Sequence, residues 1–391
     1  MIEVLFVDDE EMILDGLRRS LRPMRNSWHM RFACGGRDAI ELLEKAPADV
    51  VVSDIRMPGM NGAELLRTVA ERWPATMRVV LSGEADKETA FSCSNVTHRF
   101  LAKPCDIDAL KEAVGSAINL RQRLDNSIFE ASLGKLTSIP SLPAIYQELT
   151  VAIDAPDCSA DRIGAIIEKD PAMTAKLLKL VNSAYFSPRT AITRADTAAS
   201  MLGLGMLREL IIAFHIFEQM ETRPSGRIDL QELWQYSERV AQASSNIARL
   251  AGYGEEACRA AFGAGLLHEV GALLLAMHSP CLYDIVMTDC AATGADVCEV
   301  EKYHFSIAHT TAGAYLLSLW GLPQSITFAV EYHHAPGTAP AGIDCESLAA
   351  VHIATHMLAG DTPWRCVKLD EDYIADKGLQ SIVEQARAEL A

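Results

Sequence analysis

The chain has 391 residues, 49% of them hydrophobic and 22% charged, which is long enough for about two or three globular domains with their own cores. A formal net charge of −17 argues against nonspecific binding to a phosphate backbone, which needs clustered lysine and arginine. The start "MIEVLFVDDEE" is acidic where a signal peptide is basic, the apolar run "LIIAFHIF" is too short to cross a bilayer, and no cysteines form a C-x-x-C pair. We therefore expect a cytoplasmic protein with reduced thiols that binds neither DNA nor a membrane.

Five short apolar runs alternate with segments of helical spacing in the first part of the chain. The runs are "IEVLFV" (2–7), "MRFAC" (30–34), "DVVVSD" (49–54), "MRVVLSG" (77–83) and "HRFLAK" (98–103). The first intervening segment has apolar residues at Met12, Ile13, Leu17 and Leu21. Strands that alternate with helices predict an α/β fold, a doubly wound five-stranded parallel sheet with buried strands.

Polar residues stand where these predicted strands end. Asp8 and Asp9 follow the first strand, Asp54 the third, Ser82 the fourth and Lys103 the fifth. Function collects at the carboxyl ends of the strands in such sheets. Three clustered carboxylates repel one another unless a hard cation such as Mg²⁺ lies between them, and a metal, an ammonium and a hydroxyl around one carboxylate suit phosphoryl transfer. Asp54 would be the nucleophile that forms an acyl phosphate.

The segment resembles the receiver domain of two-component response regulators over residues 1–122. "FVDDEE", "SDIRMPGMNG", "VVLSG" and "FLAKP" occur in the family's order and spacing. The resemblance implies a flavodoxin-like fold and a phosphoacceptor at Asp54. It also implies an Mg²⁺ site and phosphoryl contacts, with the following roles: Asp9 as direct metal ligand supported by Asp8, Arg56 as metal ligand through its backbone carbonyl, and Ser82 and Lys103 as contacts of the phosphoryl oxygens.

Two further positions match the receiver family, and one departs from it. Phe100 stands at the family's aromatic switch position and would act together with Ser82, while Pro104 would follow a cis peptide bond. Asn61 departs from the family, in which aspartate is more usual, but it lies outside the charge cluster.

The helical pattern that starts near Asp106 continues beyond the receiver. Leu120, Leu124 and Ile128 keep the apolar spacing until Gly134, which predicts a connecting helix over 123–135. The spacing is not a strict heptad, so we favour a rigid connector over a short coiled coil, and homodimerisation stays open.

From Leu136 onward the pattern is helical and predicts an all-α domain of two lobes. The blocks "SLPAI", "EKDPAMTAKLLKLVNSAYF", "MLGLGMLREL", "LWQYSERVA", "GLLHEVGALLL", "HTTAGAYLLSLWGLP" and "EYHHAP" resemble the HDOD domain over residues 136–336. This family is a relative of the HD phosphohydrolases that is generally regarded as lacking their activity. The remaining residues, 337–391, are predicted to form a helical extension that caps this domain.

The ligands of an active HD site are mostly replaced in this chain. The resemblance places Tyr236 where the first histidine would stand, His268 and Glu269 at the His-Asp pair, and Thr355 at the later aspartate. Three of four ligands are therefore altered, and a metal needs ligand number and geometry together. We expect a degenerate HD site with no metal cofactor in the HDOD domain.

Other histidines leave a second interpretation open. His309, His333 and His334 match extra histidines of the HD-GYP phosphodiesterases, although the Gly-Tyr-Pro loop is missing. Together with His268 they would form either a remnant metal site or, as we favour, hydrogen bonds in a polar pocket between helices.

The leading hypothesis is a response regulator that a sensor histidine kinase or phosphotransfer protein phosphorylates on Asp54. Its catalytically inactive HDOD domain would bind an output partner protein, one candidate being an enzyme of cyclic-di-GMP turnover. The alternative is a metal-dependent cyclic-dinucleotide or nucleotide phosphohydrolase that the receiver gates.

Overall fold

The structure of the protein is a computed structural model. It describes residues 2–73, 76–82, 97, 99–103, 107–108, 110–111, 114–115, 144–153, 155, 158–182, 192–221, 227–320, 322–340, 345–359 and 367–390. The chain forms two compact units, residues 1–159 with 319–321, and residues 160–318 with 322–391. The predicted connecting helix over 123–135 and Pro104 lie outside the described residues.

The first unit contains a five-stranded parallel sheet, as predicted. Its strands are β1 Ile2–Val7, β2 Trp28–Ala33, β3 Val50–Asp54, β4 Met77–Ser82 and β5 Arg99–Ala102, in the order β2-β1-β3-β4-β5. β2 begins at Trp28, earlier than the apolar run indicated, because Trp28 pairs with Ile2 at the start of β1. The exposed His29 separates Trp28 from the rest of the run and hides this start from an apolar pattern.

The described helices of the first unit include three between the early strands and one further along. They are α1 Glu11–Ser20, α2 Gly36–Lys45, α3 Gly62–Arg72 and α4 Ala144–Ile153. α1 buries Leu14 and Leu17, whereas Met12, which the pattern placed on the apolar face, is 84% exposed. The core between the sheet and α2 and α3 is aliphatic and contains Leu5, Leu43 and Leu66.

α3 begins with a capping box that fixes the loop after Asp54. The Asn61 side chain accepts a hydrogen bond from the backbone N–H of Glu64 at 2.9 Å, and the Glu64 carboxylate accepts one from the N–H of Asn61. The N–H of Gly62 donates to the Ile55 carbonyl at 3.0 Å. The start of α3 is thereby tied to the end of β3.

The second unit is helical throughout its described part. Its helices are α5 Ala160–Ile167, α6 Pro171–Val181, α7 Ala195–Leu202, α8 Leu204–Glu221, α9 Leu230–Leu250, α10 Glu255–Leu267, α11 Val270–His278, α12 Pro280–Thr293, α13 Val297–Phe305, α14 His309–Leu319, α15 Gln324–Tyr332, α16 Glu346–Leu358, α17 Glu371–Asp376 and α18 Gln380–Leu390. α16 packs against α9, α10 and α15, so it is a core helix of this unit although it lies in the predicted extension. α18 packs against α9 and α16.

The motif "GLLHEVG" lies at a break between two helices, whereas its apolar pattern indicated the middle of one. α10 ends at Leu267 and α11 begins at Val270, which leaves His268 and Glu269 between them. The stretch Glu255–His278 is long and apolar enough to cross a membrane by length and composition. However, 94% of the apolar 18-residue segment within it is buried inside the fold. A core helix of a folded domain passes the same test, and α10 packs against α9 and α16 in this way.

Candidate functional sites

The structure brings together the acidic residues and the lysine that the sequence placed at the strand ends. Asp8 and Asp9 follow β1, Asp54 ends β3, and Lys103 follows β5. One carboxylate oxygen from each of Asp8, Asp9 and Asp54 lies within 4.8 Å of the others. We call Asp8, Asp9, Asp54 and Lys103 the acid cluster.

Lys103 supplies the positive charge within the acid cluster. Its Nζ lies 2.6 Å from Oδ1 of Asp54 and 3.1 Å from Oδ2 of Asp8. The side chains of Asp8 and Asp54 are buried, while that of Lys103 is 26% exposed. Lys103 is therefore the most exposed of these three side chains.

Burial and neighbouring charges compete in setting the pKa values of Asp54 and Lys103. Burial raises the pKa of Asp54, and the hydrogen bond and charge of Lys103 only partly offset that rise. Burial alone would lower the pKa of Lys103, but the hydrogen bonds and charges of Asp54 and Asp8 outweigh it and raise that pKa. A divalent cation beside these oxygens would favour the ionised form of Asp54.

Of the other predicted receiver residues, the structure describes Arg56 in full and only the backbone of Ser82 and Phe100. Arg56 is exposed and lies two positions after Asp54, in the loop before α3. The backbone of Ser82 ends β4 and that of Phe100 lies in β5, but the side chains of both lie outside the described part of the chain.

A second cluster, in the helical unit, contains four histidines from three helix ends. His268 follows α10, His309 starts α14, and His333 and His334 follow α15. The ring centroids of His268 and His333 are 5.2 Å apart, and those of His309 and His334 are 5.1 Å apart. We call these residues the histidine cluster. Its rings other than that of His334 are 1% exposed or less.

The Nδ1 atoms of this cluster are fixed by hydrogen-bond acceptors. Nδ1 of His268 lies 2.7 Å from the Gly265 carbonyl and that of His333 lies 2.9 Å from the Val330 carbonyl. A carbonyl only accepts, so Nδ1 carries the proton in both rings and Nε2 has the lone pair. Within the described residues, Nε2 of His268, His309 and His333 is buried without a hydrogen-bond partner.

Glu269 lies between two of these Nε2 atoms. Its Oε1 is 3.7 Å from Nε2 of His268, and its Oε2 is 3.9 Å from Nε2 of His309. Both distances exceed that of a hydrogen bond.

Acidic and thiol groups that the sequence analysis did not single out surround the cluster. The buried Glu301 accepts hydrogen bonds from the Tyr283 hydroxyl at 2.9 Å and from the backbone N–H of His309 at 2.7 Å, and its Oε2 also lies 2.7 Å from Nδ1 of His309. Asp296 Oδ2 lies 3.3 Å from Nδ1 of His334. Cys298 contributes a sulfur atom within 4.8 Å of ring nitrogens of His309 and His334.

One signal in the sequence could have found these residues. "DVCEVEKYHFSIAH" places Asp296, Cys298, Glu301 and His309 just before, on and just after one short helix. A search for cysteine pairs overlooks it because the partners of this cysteine are histidines.

Of the three replaced HD ligands, Tyr236 and Thr355 have contacts of their own. The ring of Tyr236 is buried with its centroid 5.4 Å from that of His268. The hydroxyl of Thr355 donates within its own helix, with the Val351 carbonyl at 2.9 Å and the His352 carbonyl at 3.0 Å.

Burial and local charge separate the pKa values of the histidines. Burial lowers the pKa of His268 to about 4 and, aided by the neighbouring imidazoles, lowers that of His333 well below its ordinary value. Burial would also lower the pKa of His309, but the negative charges of Glu301 and Cys298 raise it well above its ordinary value. The pKa of Cys298 is lowered because His309 and His334 outweigh the effect of burial.

A cavity of about 660 Å³ lies elsewhere in the helical unit, between α6, α8 and α9. Its lining includes Lys176, Lys179, Phe214, Trp234 and Glu238. The rings of Phe214 and Trp234 are 5.3 Å apart. The cavity thus combines an aromatic wall with two ammonium groups.

Comparison with known proteins finds two matching families. The model of the HDOD domain matches residues 139–336, and the model of the response regulator receiver domain matches residues 4–115.

Individual relatives share parts of the chain. The hydrogenase transcriptional regulatory protein HoxA of Cupriavidus necator is 35% identical over 141 residues, 36% of this chain and 28% of that protein. An uncharacterized protein of Treponema pallidum is 25% identical over 233 residues, 59% of this chain and 44% of that protein. The chain therefore spans less than half the length of these two relatives.

Among solved structures, a putative signal transduction protein of Marinobacter aquaeolei has a similar fold. Its TM-score is 0.53 at 18% identity, with 90% of this chain and 84% of that chain covered.

Proposed function

Since the chain belongs to the HDOD family and carries an N-terminal receiver domain, we propose that it is a response regulator with a protein-binding output. A sensor histidine kinase or a phosphotransfer protein phosphorylates Asp54. The HDOD domain then binds or releases an output partner protein and hydrolyses nothing. The domains are a receiver at 1–122, a connecting helix at 123–135, an HDOD domain at 136–336 and a helical extension at 337–391. The protein works in the cytoplasm.

The geometry of the acid cluster is the observation that carries this proposal. An Asp54 oxygen attacks the phosphorus of the donor, the donor's phosphorus bond breaks, and the electron pair leaves with the donor group. Lys103, 2.6 Å from Asp54, offsets the negative charge of the phosphoryl oxygens. Asp8, Asp9, Asp54 and the backbone carbonyl of Arg56 would hold Mg²⁺, because carboxylate and carbonyl oxygens are its preferred protein ligands. The ion supplies further charge neutralisation.

Ser82 and Phe100 complete the proposed response. The Ser82 hydroxyl would contact the phosphoryl group, and the Phe100 ring would change position with it. A coupling free energy of about 1–3 kcal/mol between phosphorylation and partner binding changes the affinity for the partner by about 5–150-fold.

The proposal of an inactive output rests on the replaced ligands. Tyr236 offers a phenol in place of an imidazole, and the Thr355 hydroxyl is bonded inside α16. A hydrolytic metal site needs a bound, activated water and acidic ligands in fixed geometry. A domain that keeps its fold after such replacements retains surfaces for binding, and the cavity beside Trp234 is the site in the described helical unit that we propose for the output partner.

Phosphate incorporation tests the receiver. Full-length protein with Mg²⁺ and a labelled small phosphodonor should take up about one phosphoryl group per chain. Asp54→Asn should take up none, because an amide replaces the nucleophile with little change of shape. Asp38→Asn, which changes an exposed acid on α2, is the matched control and should be labelled normally. Equal labelling of Asp54→Asn would show that another residue is the acceptor.

Two assays test the output. Purified wild-type protein with added Mn²⁺ or Fe²⁺ should show no cyclic-di-GMP hydrolysis above background; hydrolysis that disappears in His268→Ala would instead support the alternative, a receiver-gated phosphohydrolase. Affinity capture with phosphorylated protein and with Asp54→Asn should retain different amounts of one partner. Equal capture of every bound protein by the two forms would contradict control by the receiver.

A further inference from the structure

We propose that Cys298, His309 and His334 form a buried site for a zinc-type transition metal ion, which shares histidines with the degenerate HD site but uses a cysteine that is not one of its positions. This site does not depend on the function proposed above, since it uses no residue of the acid cluster and no step of phosphorylation.

The three ligand atoms converge from three separate helix ends. The Cys298 sulfur and one ring nitrogen each from His309 and His334 lie within 4.8 Å of one another. Cys298 is in the first turn of α13, His309 starts α14, and His334 follows α15. Ligands around a tetrahedral zinc ion, with bonds of about 2.0–2.3 Å, lie about 3.3–3.7 Å apart. Side-chain rotations that move the ligand atoms by roughly 1 Å would bring them to these distances without a change of fold.

The hydrogen bonds around the two imidazoles already select the ligand atoms. Nδ1 of His309 lies 2.7 Å from Glu301, and Nδ1 of His334 lies 3.3 Å from Asp296. These contacts leave Nε2 of each ring to face a metal. Histidines that bind metals usually donate their other N–H to a carboxylate or carbonyl, which fixes the ring and raises its basicity.

The buried Nε2 of His309 is the second, independent observation. Among the described residues it makes no hydrogen bond of normal geometry, its side chain is 1% exposed, and the Cys298 thiol is the polar group of the proposed site that interacts with this ring. A buried polar atom without a good partner destabilises the folded state. A metal ion at Nε2 would remove that destabilisation. Glu269 Oε2 lies 3.9 Å from the same atom and would be the fourth ligand.

The chemistry of the donors selects the class of metal. One thiolate and two imidazoles are borderline-soft ligands that suit Zn²⁺, whereas Mg²⁺ prefers the oxygens of the acid cluster. The start of α13 places the positive end of a helix dipole beside Cys298, which favours its thiolate. Fixed and buried ligands of this kind are typical of structural zinc sites rather than hydrolytic ones.

The proposed site differs from an HD site in its ligands. An HD site would use the positions of Tyr236, Glu269 and Thr355 together with His268, whereas the new site takes Cys298 as its thiolate and needs neither Tyr236 nor Thr355. His268 and His333 also have free Nε2 atoms, and a single ion on Cys298 leaves them unused.

Cobalt titration of the full-length protein tests the proposal. After removal of metals with a chelator, about one Co²⁺ per chain should bind with a near-ultraviolet thiolate-to-cobalt absorption band and visible bands of tetrahedral cobalt. Cys298→Ser should lose the thiolate band and weaken Co²⁺ and Zn²⁺ binding at least about 100-fold. His334→Asn should weaken binding similarly. A wild-type protein with no thiolate band, or a Cys298→Ser variant that keeps it, would overturn the proposal.

Controls separate this site from the rest of the protein. Cys281→Ser changes an exposed cysteine of the same unit and should bind cobalt as the wild type does. Asp54→Asn should keep the thiolate band, so a failure of the receiver proposal leaves this test intact. Because Cys298 is buried and its replacement could unfold the unit, circular dichroism checks each variant, and the wild-type melting temperature gives a second readout. Zn²⁺ should raise it by several degrees; no rise with saturating Zn²⁺ would also overturn the proposal.

Discussion

The acid cluster and the histidine cluster solve the same problem, the burial of ionisable groups, in opposite ways. In the acid cluster, Lys103 lies between carboxylates and remains 26% exposed, so one fixed cation offsets part of the charge of three acids. In the histidine cluster, the rings lie inside a helical unit, and only some have an acidic neighbour. Glu301 accompanies His309, Asp296 accompanies His334 and Glu269 lies 3.7 Å from His268, whereas His333 is bonded to a carbonyl.

The difference shows what each site can do. We expect the carboxylate oxygens at the strand ends, beside a partly exposed lysine, to exchange a cation and a phosphoryl group, because ligands enter and leave without unfolding. A buried set of imidazoles is held by the packing of its helices, and any ion bound there contributes to the fold. We therefore expect the second site to act as a structural element of the helical unit and the first to act chemically.

Removal of Glu301 should have the largest effect on the histidine cluster. Glu301→Ala leaves the Tyr283 hydroxyl and two donors of His309 without their acceptor, so we expect a loss of about 3–5 kcal/mol in unfolding free energy. Urea unfolding of chelator-treated protein measures it. Glu299→Ala is the control on the same helix, where the exposed pair with Lys302 is worth about 0–1 kcal/mol. Equal losses in the two variants would mean that the buried carboxylate is not the centre of the network.

A close glycine stands behind each cluster, and both can be tested by adding one methyl group. A Cβ at Gly271 would collide with the His309 carbonyl oxygen and lie 2.6 Å from the Gly313 nitrogen, while a Cβ at Gly62 would collide with the Asp54 carbonyl oxygen and lie 2.9 Å from the Ile55 Cα. Each alanine substitution should cost about 1–3 kcal/mol, because backbone must shift.

The two glycine variants should differ in their functional readout. Gly62→Ala should slow the phosphorylation of Asp54, and Gly271→Ala should leave it unchanged. Gly205→Ala, in helix α8 with open space around its Cβ, is the control and should be neutral or stabilising by up to about 1 kcal/mol. A Gly62→Ala protein labelled at the wild-type rate would show that the backbone of Asp54 tolerates the shift.

Acid should weaken the helical unit through its neutral histidines. Burial lowers the pKa of His352 to about 4, so below about pH 6.5 the unfolded chain binds a proton that the folded chain does not take up until about pH 4. Stability is then full above pH 6.5 and is lost as the pH falls toward 4, by about 1–2 kcal/mol between pH 7 and pH 5 for this residue. Urea unfolding at the two pH values measures the loss, and His352→Gln should reduce it. An unchanged pH dependence in His352→Gln would assign the effect to other groups.

The smallest predicted effect concerns the cap beside the acid cluster. Asn61→Ala removes the acceptor for the Glu64 N–H and should cost about 1 kcal/mol, because an N-cap side chain satisfies one of the free donors at a helix start. Asn61→Asp should change stability by less than about 0.5 kcal/mol, since both residues cap equally well. Thermal unfolding compares the two, and a large loss in Asn61→Asp would mean that a fourth acid disturbs the cluster despite its distance along the chain.

The sequence by itself determined the two families and the fold of both units. Short apolar runs that alternate with helical segments predicted the five parallel strands, and the strand ends predicted that Asp8, Asp9, Asp54 and Lys103 would meet, because all strands of a parallel sheet end at the same edge. The family matches and the sheet topology confirm these predictions. Exceptions were local: the start of β2 at Trp28 and the exposure of Met12 follow from pairing and packing that a pattern of apolar residues does not contain.

Tertiary structure alone decided the composition of the histidine cluster. Helical periodicity says which face of a helix is buried, but not which other helix meets that face, since helix packing depends on side-chain shape over long sequence separations. Two sets of contacts join residues on different helices: the bonds from Glu301 to Tyr283 and His309, and the approach of Cys298 to His334. The break at His268 and Glu269 also lies between two helices. A parallel sheet brings its strand ends together by topology, whereas a helical unit brings side chains together only through its packing.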